Sequence, residues 1–240
     1  MPSLPPVQSL WIGPQLSTLE QLVIRSFLAN GHDFHLFTYE PVGGIPEGAT
    51  VLDARSILPS SRIFRYSGNG SLAGFSNFFR YRLLLENGGW WVDMDTVCLR
   101  PFEFSSVDYV VSSETFAGAP VIDIAALKAP AGSPLVEYAW RVCESKDPAA
   151  LRWGETGPRL LAEAVEHCGL TDYVLPPETF CPVPYLAWES VLSPEASLNF
   201  GPETYAIHLW HELWRSSSRN KDAPYPAGCL FEKLKTRYLS

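Results

Sequence analysis

The sequence has no C-x-x-C pair, and its five cysteines (Cys98, Cys143, Cys168, Cys181 and Cys229) are scattered. An odd, dispersed set excludes a disulfide framework or a cysteine-rich zinc site and reads as free thiols in a reducing compartment. No apolar run is long enough to span a bilayer, and the N-terminus lacks a basic region followed by a long apolar stretch. The expected location is therefore cytoplasmic, with no transmembrane segment; an anchor outside this sequence is left open. Positive charge is scarce: 18 Lys and Arg stand against 26 Asp and Glu, a formal net charge of -8. That balance weighs against a nucleic-acid partner. It says little against a nucleotide, whose phosphates need only local compensation. Internal repeats are lacking too, and nothing marks a domain boundary. What remains is 240 residues, 46% hydrophobic and 18% charged, which suits one soluble domain over 1–240 with a sizeable core.

Residues 75–101 organise the chain. The first half reads as a helix over 76–87, capped by Ser76 or Asn77, with strong formers at Leu84, Leu85 and Glu86. Gly88-Gly89 stops it, because glycine accepts the left-handed conformation found just past a helix end. Trp90-Trp91-Val92 opens a buried strand over 90–95 that ends on Asp93 and Asp95. The helix runs roughly 18 Å and the strand roughly 20 Å. A tight turn between them folds the carboxylates back to the helix's first turn, beside Ser76, Asn77 and Arg80. Helix positions three or four apart share a face, and strand positions two apart share a face. Asp93 and Asp95 therefore converge while Met94 turns away. Two carboxylates, a guanidinium and a helix N-terminus suit a divalent cation, magnesium or manganese, holding a phosphorylated ligand. The blander reading is one Asp capping a turn and the other solvated.

Elsewhere the chain alternates strands and helices. Residues 7–12 read as a first strand. Ser17 and Glu20 form a capping box, and Leu19, Leu22, Val23, Ser26 and Phe27 follow helical spacing. Residues 34–39 read as a second strand, so the chain opens βαβ and predicts a parallel α/β sheet. The Gly/Ser-rich run 67–74 reads as mobile. Residues 109–111 and 120–126 read as strands. Residues 133–144 read as a helix with Leu135, Val136, Ala139 and Val142 inward, and 158–167 as another with Leu160, Leu161, Ala164 and Val165 inward. The proline-dense run 176–202 reads as ordered but irregular. Residues 205–210 read as a late strand or loop, and 231–239 as a short basic helix whose Lys233, Lys235 and Arg237 offer a peripheral membrane contact or a solvated face.

Asp93-Met94-Asp95-Thr96-Val97 also fits the D-x-D-x-[TV] motif of haloacid-dehalogenase-type phosphatases, in which the first Asp attacks phosphorus. That fold places the motif on its first strand and needs a late acidic pair, which is missing. Two non-enzymatic alternatives are a sugar-nucleotide-binding protein without catalysis and an aromatic-rich carbohydrate-binding module.

The central stretch resembles the DXD sugar-binding region of glycosyltransferase family 32 and its α-1,4-galactosyltransferase and capsular-polysaccharide relatives, with the large clostridial toxins as distant cousins. Ser76, Asn77, Arg80, Gly88, Gly89, Trp91, Asp93, Asp95, Cys98, Leu99 and Pro101 fall on the shared pattern. The resemblance implies a GT-A fold, α/β with a single mostly parallel central sheet flanked by helices. Residues 1–102 would bind the nucleotide sugar, and 103–240 would form the acceptor side and close the domain. It implies metal-dependent transfer of a hexose or N-acetylhexosamine from a UDP-sugar to a glycan or lipid-linked acceptor, with retention of configuration and with manganese favoured over magnesium. Leu10-Trp11-Ile12-Gly13 resembles the first strand whose aromatic stacks on uracil; Trp11 could instead be a core residue. Thr156-Gly157-Pro158 resembles the turn beside the sugar, and otherwise a helix start with proline in its first turn. His208-Leu209-Trp210 resembles the late H-x-W segment, which implies His208 as a third metal ligand and Trp210 as a donor contact. Relatives carry Asn where this chain has His211, and Asn near the donor sugar where it has Asp123. The resemblance names no nucleophile or base. Glu114 and Glu155 are carboxylates near family-like segments.

Overall fold

The computed structural model describes residues 4–239. The βαβ opening forms as expected: β1 (Val7–Trp11), α1 (Thr18–Ala29) and β2 (Phe34–Thr38), with β1 and β2 parallel. At the start of α1 the Ser17 N–H and hydroxyl both donate to the Glu20 carboxylate, at 2.8 and 2.6 Å. Leu19, Leu22, Val23, Ser26 and Phe27 are all buried. β3 (Thr50–Asp53) adds to β2. Then come α2 (Ala73–Asn87), β4 (Gly89–Val92), β5 (Thr96–Cys98), β6 (Val110–Phe116) and β7 (Ala119–Ala129). The chain continues through α3 (Pro134–Ser145), α4 (Pro158–His167), β8 (Ala206–His208), α5 (His211–Ser216) and α6 (Leu230–Tyr238).

Six strands form one sheet in the order β3-β2-β1-β4-β7-β6, and β5 pairs with β8 in a separate ribbon. β3, β2, β1 and β4 are parallel, while β7 is antiparallel to both its neighbours. One strand thus runs against the other five. Trp90 and Trp91 are both fully buried, and successive strand residues face opposite sides. Trp90 packs into the core beneath α1 and α6, and Trp91 into the core beneath α2, α3 and α4. A strand covered on both faces is why this segment reads as a continuous apolar run.

Several boundaries differ from the sequence reading, each for a local reason. α2 starts at Ala73, so Ser76 and Asn77 lie inside it and cap nothing. The Ser71 hydroxyl instead accepts from the Ala73 N–H at 3.2 Å. The Gly/Ser-rich run is held in a turn in which Gly70 N–H donates to Tyr66 O at 2.8 Å and Tyr66 N–H to Ser71 O at 2.9 Å. β4 stops at Val92, short of the aspartates. Asp93 N–H still reaches Ala125 O on β7 at 2.8 Å, but Thr96 N–H then turns back to Asp93 O at 3.0 Å. In α3, Val142 is only half-buried and Cys143 points inward in its place. Gly88 ends α2 as expected, with φ 63°. A Cβ there would lie 2.4 Å from Ala131 N, so the turn requires glycine for space as well as conformation.

The β6–β7 pairing carries an irregularity that positions the site. Val111 faces Leu127, yet Ser113 faces Ile122. The extra β7 residues bulge out at 123–126, and the Asp123 carboxylate closes the bulge by accepting its own Ala125 N–H at 2.7 Å. Bulges bend a strand and re-aim side chains; this one lies beside the Asp93 turn.

Candidate active site

The turn after β4 places Asp93 against α2. One carboxylate oxygen, Oδ1, receives both Arg80 Nη2, in a short ion pair, and Trp91 Nε1 at 2.7 Å. Arg80 is 2% exposed. Its other arm donates to Asn77 Oδ1 at 3.1 Å, and its guanidinium carbon sits 4.8 Å from the Trp91 ring centroid. Arg80 is thus committed to orienting Asp93. Burial pushes the Asp93 carboxyl up, and the Arg80 charge opposes the rise.

Asp95 faces the late chain. β8 brings His208 Nε2 to 3.3 Å from Asp95 Oδ2. Trp210 then adopts the left-handed conformation, φ 58° and ψ 46°, and turns the chain into α5. That turn aims the His211 N–H at Asp95 Oδ2, 2.7 Å away. A left-handed non-glycine residue costs about 1–3 kcal/mol. It is held here by the indole N–H, which donates to Val183 O at 2.8 Å, and by contact with the His208 ring at 3.9 Å between centroids. Burial works to raise the Asp95 carboxyl, but the His208 charge and hydrogen bond and the His211 N–H hold it well below the usual range. Burial likewise disfavours the His208 imidazolium, yet Asp95, Asp123 and Asp93 bring it up to about 9.

Asp93, Asp95 and His208 place one ligand atom each within 4.8 Å of one another. Two carboxylates and an imidazole fit a small divalent cation that accepts mixed oxygen and nitrogen ligands. Three carboxylates around one imidazole also leave surplus negative charge that such a cation would neutralise. Asp123, Cys181 and His208 form a second tight group. There burial pushes the thiol well up, so Cys181 stays protonated and donates to Asp123 Oδ2 at 3.4 Å. This group supports the first, with Asp123 Oδ2 lying 3.8 Å from His208 Nδ1.

A cleft of about 740 Å³ opens over these residues. Trp11, Ser76, Asn77, Arg80, Asp93, Asp95, His208 and Trp210 all line it, as do Asp123 and Glu114. Thr156 and Gly157 do not; they lie buried behind the wall. There Asn77 Nδ2 donates to Thr156 Oγ1 at 3.5 Å, and Tyr81 to Gly157 O at 3.4 Å. Glu155 points away and pairs with Lys146 at 2.8 Å. The half-buried Trp11 ring has Lys221 Nζ 5.2 Å from its centroid. Sequence reasoning missed Lys221, Tyr185, Cys181 and the His211 N–H. No local motif announces them, because each arrives through the irregular late chain.

The fold agrees with the comparisons. Residues 50–117 match the glycosyltransferase sugar-binding region containing a DXD motif, and residues 149–236 match the alpha 1,4-glycosyltransferase conserved region. The chain carries the DXD sugar-binding region of the glycosyltransferases. The first match holds Asp93 and Asp95, and the second holds His208. Lactosylceramide 4-alpha-galactosyltransferase of Mus musculus is 30% identical over 100 residues, covering 36% of this chain and 27% of that protein. The chain thus spans about a quarter of that relative. The PaToxG glycosyltransferase superposes with a TM-score of 0.51 at 14% identity, covering 69% of this chain and 70% of its own, which shows a shared glycosyltransferase fold. The phosphatase alternative falls on topology: the Asp-x-Asp turn follows the fourth strand of the chain, and Asp93 is tied to Arg80 and Trp91.

Proposed function

We propose that this chain is a metal-dependent glycosyltransferase that moves a hexose or N-acetylhexosamine from a UDP-sugar to a glycan or lipid-linked acceptor. The observation that carries the reading is the Asp93–Asp95–His208 donor set, in a cleft that also exposes a tryptophan at the end of β1. Ligands of α/β folds collect at the carboxyl ends of parallel strands. Trp11 offers a flat face for the base, and Asp93, Asp95 and His208 would hold the cation. When bound, the cation would neutralise charge developing on the diphosphate leaving group. Arg80, Asn77 and Trp91 keep the Asp93 carboxylate oriented. Trp210 keeps His208 and the start of α5 in place. Manganese is preferred in this reading, since imidazole suits it better than magnesium.

The alpha 1,4-glycosyltransferase match supports retention in this reading, since an alpha linkage formed from an α-linked UDP-hexose would keep its configuration. We assign the nucleotide sugar chiefly to residues 1–102 and the acceptor to 103–240, with His208 crossing between them. Among the described residues all five cysteines are free, which supports a reducing, cytoplasmic setting. Among them, too, no helix is long and apolar enough to cross a membrane. In α6, Lys235 pairs with Glu232 at 2.7 Å and the Arg237 guanidinium lies 4.9 Å from the Tyr238 ring centroid. Lys233 remains exposed for a surface contact. The test is a panel of UDP-hexoses and UDP-N-acetylhexosamines scored for slow hydrolysis with manganese, magnesium or chelator. Turnover of one donor that chelator abolishes is the expected result. A cleft that binds glycans without metal and hydrolyses no donor would point to a carbohydrate-binding module instead.

A further inference from the structure

Two carboxylates lining the cleft, Glu114 and Glu212, stand outside the metal-donor groups; Glu212 is ion-paired with Arg215, whereas Glu114 has no ion pair among the described residues. It stands near the end of β6, opposite Val121 and just past the bulge. Its Oε2 is fully buried yet has no hydrogen-bond partner among the described residues. A buried carboxylate oxygen without a partner is destabilising, so the described chain does not satisfy this side chain, which lines the cleft where a ligand can reach it. Burial, with Asp123 adding to it, pushes this carboxyl up to about 7.

Its surroundings identify the partner. Phe116, two residues on and on the same strand face, is 44% exposed. Its ring lies 6.1 Å from Tyr185, which lies 5.4 Å from Trp210, which in turn contacts His208. An aromatic series therefore leads from the cation donors out to the cleft mouth, with Glu114 beside it. A flat aromatic wall and a single unpaired acceptor match a sugar ring, which presents an apolar face and a rim of hydroxyl donors. Sheet order separates this place from the base. Trp11 ends β1, Asp93 follows β4, Asp123 is on β7 and Glu114 on β6. Strands lie about 4.8 Å apart, so Glu114 stands three strands, roughly 14 Å, across the sheet from Trp11, with the cation donors between them.

We propose that Glu114, Phe116 and Tyr185 form the acceptor-saccharide subsite, with Glu114 accepting a hydrogen bond from an acceptor hydroxyl and the two rings stacking on the sugar face. The inference rests on the transferase reading. Its test compares wild type, Glu114→Gln and Phe116→Ala. Affinity for UDP with manganese is measured by calorimetry. Kinetics follow with the UDP-hexose that wild type turns over fastest and with lactose, maltose and cellobiose as probe acceptors. Glu114→Gln should raise the probe's KM about tenfold, the effect of one hydrogen bond to a charged group. Phe116→Ala should raise it less. Both should keep the wild-type affinity for UDP–manganese and the wild-type KM for the UDP-hexose. A raised KM for the donor, an unchanged KM for the probe, or a donor-hydrolysing wild type that accepts none of the three sugars would each overturn the subsite. A wild type that hydrolyses no donor with metal removes the transferase reading itself, which the same experiment records separately.

Discussion

Asp93 and Asp95 stand two residues apart but belong to two differently built halves of one site. Asp93 is held by Arg80 from 13 residues away, through a helix, a glycine turn and a strand contiguous in the chain. Asp95 is held by His208 and by the His211 N–H, the latter 116 residues away. The first half is a buried ion pair made before any ligand arrives. The second is a cluster of carboxylates around an imidazole whose positive charge only partly offsets them. The near half supplies orientation, and under the proposed function the far half would supply the response to metal.

The largest effects should separate the halves directly. Asp95→Asn should cut metal-dependent turnover by the order of 4 kcal/mol, about a thousandfold. Asp93→Asn should cut it similarly and also unsettle the fold. It leaves the guanidinium of Arg80, only 2% exposed, without its counter-charge, a loss of about 3–5 kcal/mol. Calorimetry with manganese and chelator reads both quantities. Equal melting temperatures for the two variants would erase the distinction.

His208→Ala comes next. Without a cation, His208 titrates near 9, against an ordinary value of 6.5. A group raised on folding adds stability that is fully present below pH 6.5 and is lost as pH climbs through 9. Melting temperature of the chelated protein should therefore decline over that window, and His208→Ala should flatten the decline. Metal binding runs the other way, because the ligand must first lose its proton. Manganese affinity of wild type should keep rising with pH toward 9, whereas the variant should bind weakly, more than about tenfold down, with a shallower slope. Parallel slopes would take His208 out of the site.

The near half was legible in the sequence for a physical reason. Gly88-Gly89 fixes a turn, two tryptophans fix a strand buried on both faces, and the lengths then leave Asp93 nowhere to go but Arg80. The error in the strand's end came from β7. Its bulge supplies Ala125 O to Asp93 and then lets the chain turn, and a register shift leaves no periodic trace. The far half was legible only by resemblance. His208 and Trp210 could be named, but the left-handed turn at Trp210 that aims the His211 N–H has no sequence signature. Asp123 could be placed near the donor sugar by analogy, but its hold on the bulge depends on three-dimensional pairing.

Trp11→Ala should weaken UDP binding by roughly 1–3 kcal/mol, the range for one base stacked on an aromatic ring. The ring lies beside Lys221, which also pairs with the buried Glu20. Lys221→Met should therefore separate stacking from charge: a loss confined to Trp11→Ala assigns the affinity to the ring. Unchanged affinity in a folded Trp11→Ala protein would move the base elsewhere in the cleft.

The smallest effect tests where the far chain reaches the near half. Thr156 comes from the segment before α4, yet its hydroxyl oxygen serves Asn77, which in turn braces Arg80. Resemblance places Thr156 beside the donor sugar; its buried position behind the wall and its bond to Asn77 suit a brace instead. Thr156→Val removes the hydroxyl and keeps the volume. As a brace it should cost about 1 kcal/mol, which lowers the melting temperature of a chain this size by about 2–4 °C. KM for the UDP-hexose should stay at the wild-type value, because Arg80 remains tied to Asp93 directly. Asn77→Ala should cost more, since it strips a partner from a buried guanidinium. Were Thr156→Val to raise the donor KM while leaving the melting temperature alone, the hydroxyl would touch the sugar. The near half would then depend on the far chain for ligand contact as well as for support.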